Sequence, residues 1–198
     1  NPFSSLMMDK VGLNTEATKM MNMLMGGAIF EYSKPLSLIQ TLVEQVIGSE
    51  DIVLDFFAGS GSTAHALSKV NAKKGGNRKW ICVQLDEVCA KGSFAHTAGY
   101  STITEITKER IRRAGRKILE GECHPDWNKD VGFRVLKIDS SNMADVFYTP
   151  DATNQADLLA NVDSIKQGRT PEDLLFQVLV DWGVDLTLPI RRETVQGK

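Results

Sequence analysis

The chain lacks a long apolar run, has few cysteines and carries no excess of either charge. Each absence narrows what it can be. A helix needs about 20 consecutive apolar residues to cross a bilayer. The nearest approach, Met20-Met21-Asn22-Met23-Leu24-Met25, is short and has no basic flank of the kind a signal peptide carries. Cys82, Cys89 and Cys123 are odd in number and show no C-x-x-C spacing, which argues against a disulfide framework and a zinc site and points to the cytoplasm. A net charge of -2 over 198 residues gives no global pull toward nucleic acid or membrane. There are no internal repeats and no low-complexity tracts. What remains is an ordinary globular composition, long enough for one domain or one domain with an appendage. The sequence has no initiator Met, and Asn1-Pro2-Phe3 opens an irregular polar stretch that runs through Asn14, so a fragment of a longer protein is expected.

The stretch that organises the rest is Asp51-Ile52-Val53-Leu54-Asp55-Phe56-Phe57-Ala58-Gly59-Ser60-Gly61-Ser62-Thr63-Ala64. Ile52 to Phe57 is an apolar run interrupted only by Asp55, the pattern of a strand buried on both faces of a parallel sheet. Gly59 and Gly61 allow a tight turn and a close approach of backbone to ligand, and Ser62 or Thr63 can open the next helix. Strand, glycine turn and helix N-terminus together make a nucleotide-sized site at the carboxyl edge of a sheet.

Two ligands and a ligand-free turn fit that loop. Gly59-x-Gly61-x-x-Ala64 satisfies the loose dinucleotide pattern. Asp55 opposes it, because a carboxylate repels the pyrophosphate seated on the helix N-terminus. It suits a cationic ligand better, such as S-adenosylmethionine, which carries a sulfonium and an ammonium group and no phosphate.

The remaining elements read in order. Residues 15–25 form a helix ended by Gly26-Gly27, and Ala28 to Tyr32 is a short extended approach. Pro35 suits the first position of a helix with Ile39, Leu42, Val43 and Val46 on one face, and that helix places Lys34 near the mouth of the same site. A helix from Ser62 to about Asn71 leads through a solvated basic turn to a second strand at Trp80–Leu85. Gln84, Asp86 and Glu87 at its end are candidates for the hydroxyls of a ribose. Residues 101–120 read as a helix with Ile103, Ile106, Ile111, Ala114 and Ile118 inward. Lys108, Arg110, Arg112, Arg113, Arg116 and Lys117 gather on its outer face, either as solvated i,i+4 pairs or as a phosphate-contacting edge. Gly132 to Asp139 alternates apolar and charged residues as a half-exposed third strand. A helix is expected from Gln155 to Lys166. Another starts at Thr170-Pro171-Glu172-Asp173 and bears the stripe Leu174, Leu175, Val178, Leu179 and Trp182, which suits core packing or a protein-binding face. Glu193 to Lys198 reads as a strand cut off at a turn.

Four stretches carry a resemblance: Phe30-x-x-x-Lys34-Pro35-x-x-Leu38-Ile39, Asp55 to Thr63, Thr104 to Ile111, and Gly132 to Asn142. Together they resemble the C-terminal part of the modification (Mod) subunit of type III restriction-modification systems, a β-class adenine amino-methyltransferase. The resemblance covers most of residues 10–198. It implies an α/β fold in which part of a Rossmann-like methyltransferase sheet has helices on both faces, with a mostly helical C-terminal appendage. It implies a cofactor-binding half over residues 1–145 and an assembly segment over 146–198. By the same resemblance Lys34 and Pro35 close over the methionine part of S-adenosylmethionine, while Asp55, Phe56, Phe57, Ala58, Gly59, Gly61 and Ser62 wrap it. Gln84 stands where many relatives carry a ribose-binding acid, a departure that leaves Asp86 or the amide itself in that role.

The resemblance also makes an absence informative. The family moves a methyl group to the adenine amino group with a D-P-P-Y or N-P-P-Y loop that holds the flipped base, and no such tetrapeptide occurs here; Asn1-Pro2-Phe3 lacks the second proline. No catalytic residue and no metal ligand is assigned, and the chain alone is expected to be inactive. The implied partners are DNA, a second modification subunit in a homodimer, and the restriction subunit, with no membrane. Two alternatives stand beside this: a non-catalytic assembly module of the same complex, and a dinucleotide-binding oxidoreductase domain.

Overall fold

The apolar run that opens at Ile52 forms β1 (Ile52–Asp55), and Lys79–Cys82 forms β2 parallel to it, with Leu54 opposite Ile81. A parallel pair needs a crossover, and the helix between the strands supplies it, so the three elements form a βαβ unit. These features belong to a computed structural model that describes residues 11–144 and 164–194. The chain divides between Gly132 and Phe133 into two compact units.

In the first unit, α1 (Asn14–Met25), α2 (Leu36–Val46), the crossover helix α3 (Ser62–Lys74), the short α4 (Phe94–Thr97) and α5 (Ile103–Leu119) accompany the strands. Pro35 sits just outside α2, with ψ of 129°, rather than inside it. The α3 sequence is rich in small residues, and nine of its thirteen residues are buried, so it packs on several sides. Leu67 and Val70, both 0 % exposed, meet Val43 of α2 and, from the sheet, Val53 and Trp80. Burying such a side chain contributes about 1.5–3 kcal/mol. Asn71 then stitches the exit of α3: its Nδ2 donates to the Arg78 carbonyl at 2.9 Å, and its Oδ1 accepts from the Arg78 N–H at 3.2 Å. A second cluster joins α1 and α5 through Met21, Met25 and Ile106, with Cys89 and Ala95. Glu105 accepts from the N–H groups of Ser101 and Thr102 ahead of α5, which satisfies donors the helix start leaves open.

Three expectations need correction. The sheet is covered on one face only among the described residues: Val53 and Trp80 face the helices, while Ile52, Leu54 and Ile81 are more than half exposed. The apolar run indicated a strand buried on both faces, but the described residues supply no second layer. Residues 132–139 form no strand despite their alternation; with no described strand beside them there is no ladder to satisfy their backbone groups. Arg110 is not on the outer face of α5 but is 0 % exposed. It lies four residues after Ile106, on the inward side of the helix.

The second unit contains α6 (Pro171–Asp181), started by a reciprocal cap in which Asp173 N–H donates to Thr170 Oγ1 and Asp173 Oδ2 accepts from Thr170 N–H. Asn142 fastens a loop to this helix, donating through Nδ2 to the Asp173 carbonyl, while Gln177 accepts from the Asn142 N–H. No residue of α6 is buried, and Leu175, Val178 and Trp182 of the predicted stripe are exposed. The helix expected at 155–166 lies outside the described residues up to 163, and 164–166 are not helical. The end strand likewise falls largely outside them, at 195–198. Among the described residues no helix is long and apolar enough to cross a membrane.

Candidate functional site

The turn after β1 is built on two glycines in the left-handed region, Gly59 at φ 51° and Gly61 at φ 77°. At Gly61 the backbone favours glycine and space is tight as well, because a Cβ would stand 3.1 Å from Thr107 Cγ2 and 3.3 Å from Ile111 Cγ1. The turn therefore sits directly on the inner face of α5. Thr107 Oγ1 donates to the Gly59 carbonyl at 2.5 Å, which fixes the height of the loop above that helix.

Asp55 ends β1, and both of its oxygens are engaged within the loop. Oδ1 accepts from the Phe57 N–H at 3.1 Å and Oδ2 from the Thr63 hydroxyl at 2.5 Å. The carboxylate thus ties the strand end to the first turn of α3. Ala58 is buried, and its N–H donates to the Val83 carbonyl at 3.1 Å, carrying the β1–β2 ladder past the last strand residue. The Phe56 and Phe57 rings tilt against one another at 5.2 Å and are 63 % and 81 % exposed. Two phenyl rings that open to solvent beside a glycine turn offer an apolar surface to a flat ligand.

The end of β2 reaches the same loop. Gln84 Oε1 accepts from the Gly59 N–H at 2.8 Å, while its Nε2 donates to the Leu85 carbonyl at 3.2 Å. Asp86 Oδ1 accepts from the Thr104 hydroxyl at 2.5 Å, so it joins the strand end to the start of α5. Gln84 thereby holds the glycine turn from the end of β2.

Below the turn lies a buried polar cluster. Arg110 Nη1 is within hydrogen-bonding distance of Ser33 Oγ at 2.9 Å, Ser62 Oγ at 2.8 Å and Ser60 Oγ at 2.5 Å. Burial lowers the Arg110 pKa to about 10, so the guanidinium remains charged at neutral pH. Ser33 directly precedes Lys34 and Pro35, and the cluster brings that segment to the glycine loop. Lys34 itself is exposed and Pro35 is buried. Close by on α3, His65 is held neutral, its pKa lowered to about 3, first by burial and then by the Arg110 charge.

The structure therefore gathers the glycine turn, Asp55, Ser62, Gln84 and the Ser33–Pro35 segment. Asp86 joins through α5. Sequence reasoning misses Ser33, Ser60, Thr63, Thr107 and Arg110, which do the fastening. Helical spacing from Ile103 could have found the last two, since Thr107 and Arg110 follow at i+4 and i+7 on the inner stripe. A separate cavity of about 790 Å3, between α1, α3 and α5 and lined in part by Lys19, His65, Lys69 and Lys117, takes in none of the predicted cofactor residues.

The loop and its surroundings fit S-adenosylmethionine. The turn from Asp55 to Thr63 presents a carboxylate at the strand end, glycine backbone and two exposed rings, which suit a cationic ligand with a flat apolar part better than an anionic one.

A family model described as DNA methylase matches residues 9–115. The Mod subunit of the type III restriction-modification enzyme StyLTI from Salmonella typhimurium is 40 % identical over 126 residues, 64 % of this chain and 19 % of that protein. The EcoPI Mod subunit from Escherichia phage P1 is 42 % identical over 123 residues, 62 % of this chain and 18 % of that one. The type II methyltransferase M.KpnI from Klebsiella pneumoniae is 34 % identical over 95 residues, 48 % of this chain and 23 % of its own length. The chain spans about a fifth of the length of the curated relatives it matches.

Proposed function

This chain belongs to the DNA methylase family, and from that premise we propose that it is the cofactor-holding part of a cytoplasmic DNA adenine methyltransferase, the modification subunit of a type III restriction-modification system. The observation that carries the reading is the turn after β1, in which two positive-φ glycines are fastened from three sides by Gln84, Thr107 and the Arg110 cluster. It lies within the residues matched by the family model. Lys34 and Pro35 would cover the amino-acid part of S-adenosylmethionine, the Asp55–Ser62 turn would wrap it, and Gln84 and Asp86 would serve the ribose. When bound, the cofactor supplies a methyl group on a sulfonium for transfer to the adenine amino group.

The groups that would hold the base and the region that would read the DNA sequence belong to other parts of the protein in this proposal. The open face of the sheet supports that. Ile52, Leu54, Ile81 and Val83 present exposed apolar side chains on one side of two strands, which suits a Rossmann-like sheet continued and covered by elements from outside this chain. The division into a cofactor-binding segment (1–145) and an assembly segment (146–198) is part of the same proposal, as are DNA, the homodimer and the restriction subunit as partners.

Calorimetric titration of S-adenosylmethionine into the full-length protein tests the site: the wild type binds, and Asp55→Ala binds at least tenfold more weakly, the scale of one charge-assisted contact of about 1.4 kcal/mol or more. Equal binding by both rejects the loop assignment. Adenine methylation by the 198-residue chain alone would refute its division of labour.

A second reading, an assembly module without catalysis, is favoured by one observation: α6 buries none of its residues, and Trp182 after it is 79 % exposed. Size-exclusion measurement of Leu175→Asp and Trp182→Asp separates it, since an unchanged assembly state counts against an interface there. Family membership leaves the dinucleotide reading without support.

A further inference from the structure

We propose that Arg110 is a positioning residue that sets the Ser33–Pro35 segment and the glycine turn against each other, so that both walls of the cofactor site are held by one guanidinium. This rests on the reading of the site given above. The two walls come from distant parts of the sequence: Arg110 is 77 residues from Ser33 and 48 from Ser62. One nitrogen, Nη1, reaches the hydroxyls of Ser33, Ser60 and Ser62 at once. It has only two hydrogens to give, and the serines share them by standing 3.3–3.4 Å from one another. The cluster acts as a unit rather than as three separate contacts.

The cluster is expensive as a purely structural device. Arg110 is 0 % exposed, and it donates to serine hydroxyls and the Ser60 carbonyl rather than to a carboxylate. Its Nε and Nη2 have no partner among the described residues. A buried cation compensated only by neutral dipoles is costly, and an apolar side chain on the same helical stripe would pack without that cost. What an apolar residue cannot do is fix three hydroxyls from two segments in a single geometry. Thr107, one turn earlier on the same face, holds the Gly59 carbonyl. The inner face of α5 therefore acts on the turn at two heights, and Arg110 alone extends that control to the segment before Lys34.

The test uses the full-length protein and S-adenosylmethionine, with affinity by calorimetry and stability by thermal unfolding in each variant. Leu67→Ala serves as the control, because Leu67 is 0 % exposed and packs in the apolar cluster with Val43 and Val70. Arg110→Met is expected to weaken binding by about tenfold to a hundredfold, as loss of a charge-assisted cluster implies. Leu67→Ala is expected to lower the melting temperature at least as far and leave affinity unchanged. Arg110→Lys should restore part of the affinity, since an ammonium can still donate to hydroxyls but lacks the planar fork. Wild-type affinity in Arg110→Met overturns the positioning role alone. Equal losses in Arg110→Met and Leu67→Ala also overturn it, since the effect is then general destabilisation. Failure of the wild type to bind overturns the reading of the site and this proposal with it. Should Arg110→Met not fold, Ser33→Ala and Ser60→Ala decide: singles of about threefold each that fail to add in the double variant support the shared node, and additive or absent effects reject it.

Discussion

The Gly59 N–H donates to Gln84 Oε1 at 2.8 Å, so the end of the second strand latches the turn that follows the first. The two residues lie 25 positions apart, and the parallel register of the strands brings them together. The latch predicts distinct outcomes for two substitutions. Gln84→Leu leaves the Gly59 N–H without its acceptor and should cost about 1–2 kcal/mol in stability, with a parallel loss of cofactor affinity. Gln84→Glu keeps an acceptor oxygen for Gly59 and loses only the donation to Leu85, so it should retain more of both. Urea denaturation and cofactor titration of the two variants check this, and equal losses would show that the acceptor is not what matters.

Asp55 carries a second prediction. Its Oδ2 accepts from Thr63 Oγ1 and its Oδ1 from the Phe57 N–H, so the carboxylate shapes the turn before it meets any ligand. Thr63→Val removes one donor while keeping the volume of the side chain, and should destabilise by about 1.5–3 kcal/mol, the range for hydrogen bonds to charged groups. Thr63→Ser keeps the hydroxyl and should stay close to wild type. Chemical denaturation curves for the pair decide, and a Thr63→Val midpoint at the wild-type value would mean the bond contributes nothing.

The glycine turn was legible in the sequence because its signals are local. An apolar run, two glycines and a helix start occupy adjacent positions, and the βαβ unit follows from them. The fastening of the turn was not legible, since Gln84, Thr107 and Arg110 act across 25 to 50 residues and nothing in their own neighbourhoods marks them. Arg110 stood in a basic run on a helix whose neighbours Arg112 and Arg116 are exposed, so composition argued for the solvated side. Its spacing from Ile103 and Ile106 argued for the inner side, and the spacing was the better guide. The alternation at 132–139 misled for the opposite reason. Period-two patterning describes which way side chains would point in a strand, but a strand also needs a neighbour to pair with.

His65 sets the last prediction, on pH. It is 8 % exposed on α3, its Nδ1 has no partner among the described residues, and burial followed by the nearby Arg110 charge lowers its pKa from 6.5 to about 3. In the folded chain it therefore stays neutral down to about pH 3, whereas in the unfolded chain it takes up a proton below its ordinary value of 6.5. Between those two values the unfolded state binds more protons, so stability falls as pH falls, with a slope approaching about 1.4 kcal/mol per pH unit. Above the upper value the contribution is constant. Urea unfolding at about pH 7.5 and about pH 5 should then differ by about 2 kcal/mol more in the wild type than in His65→Leu, which has no proton to bind at that position. Subtracting the variant removes the carboxylates common to both proteins and isolates the imidazole. Identical pH dependence in the two would mean that His65 is solvated or partnered in solution.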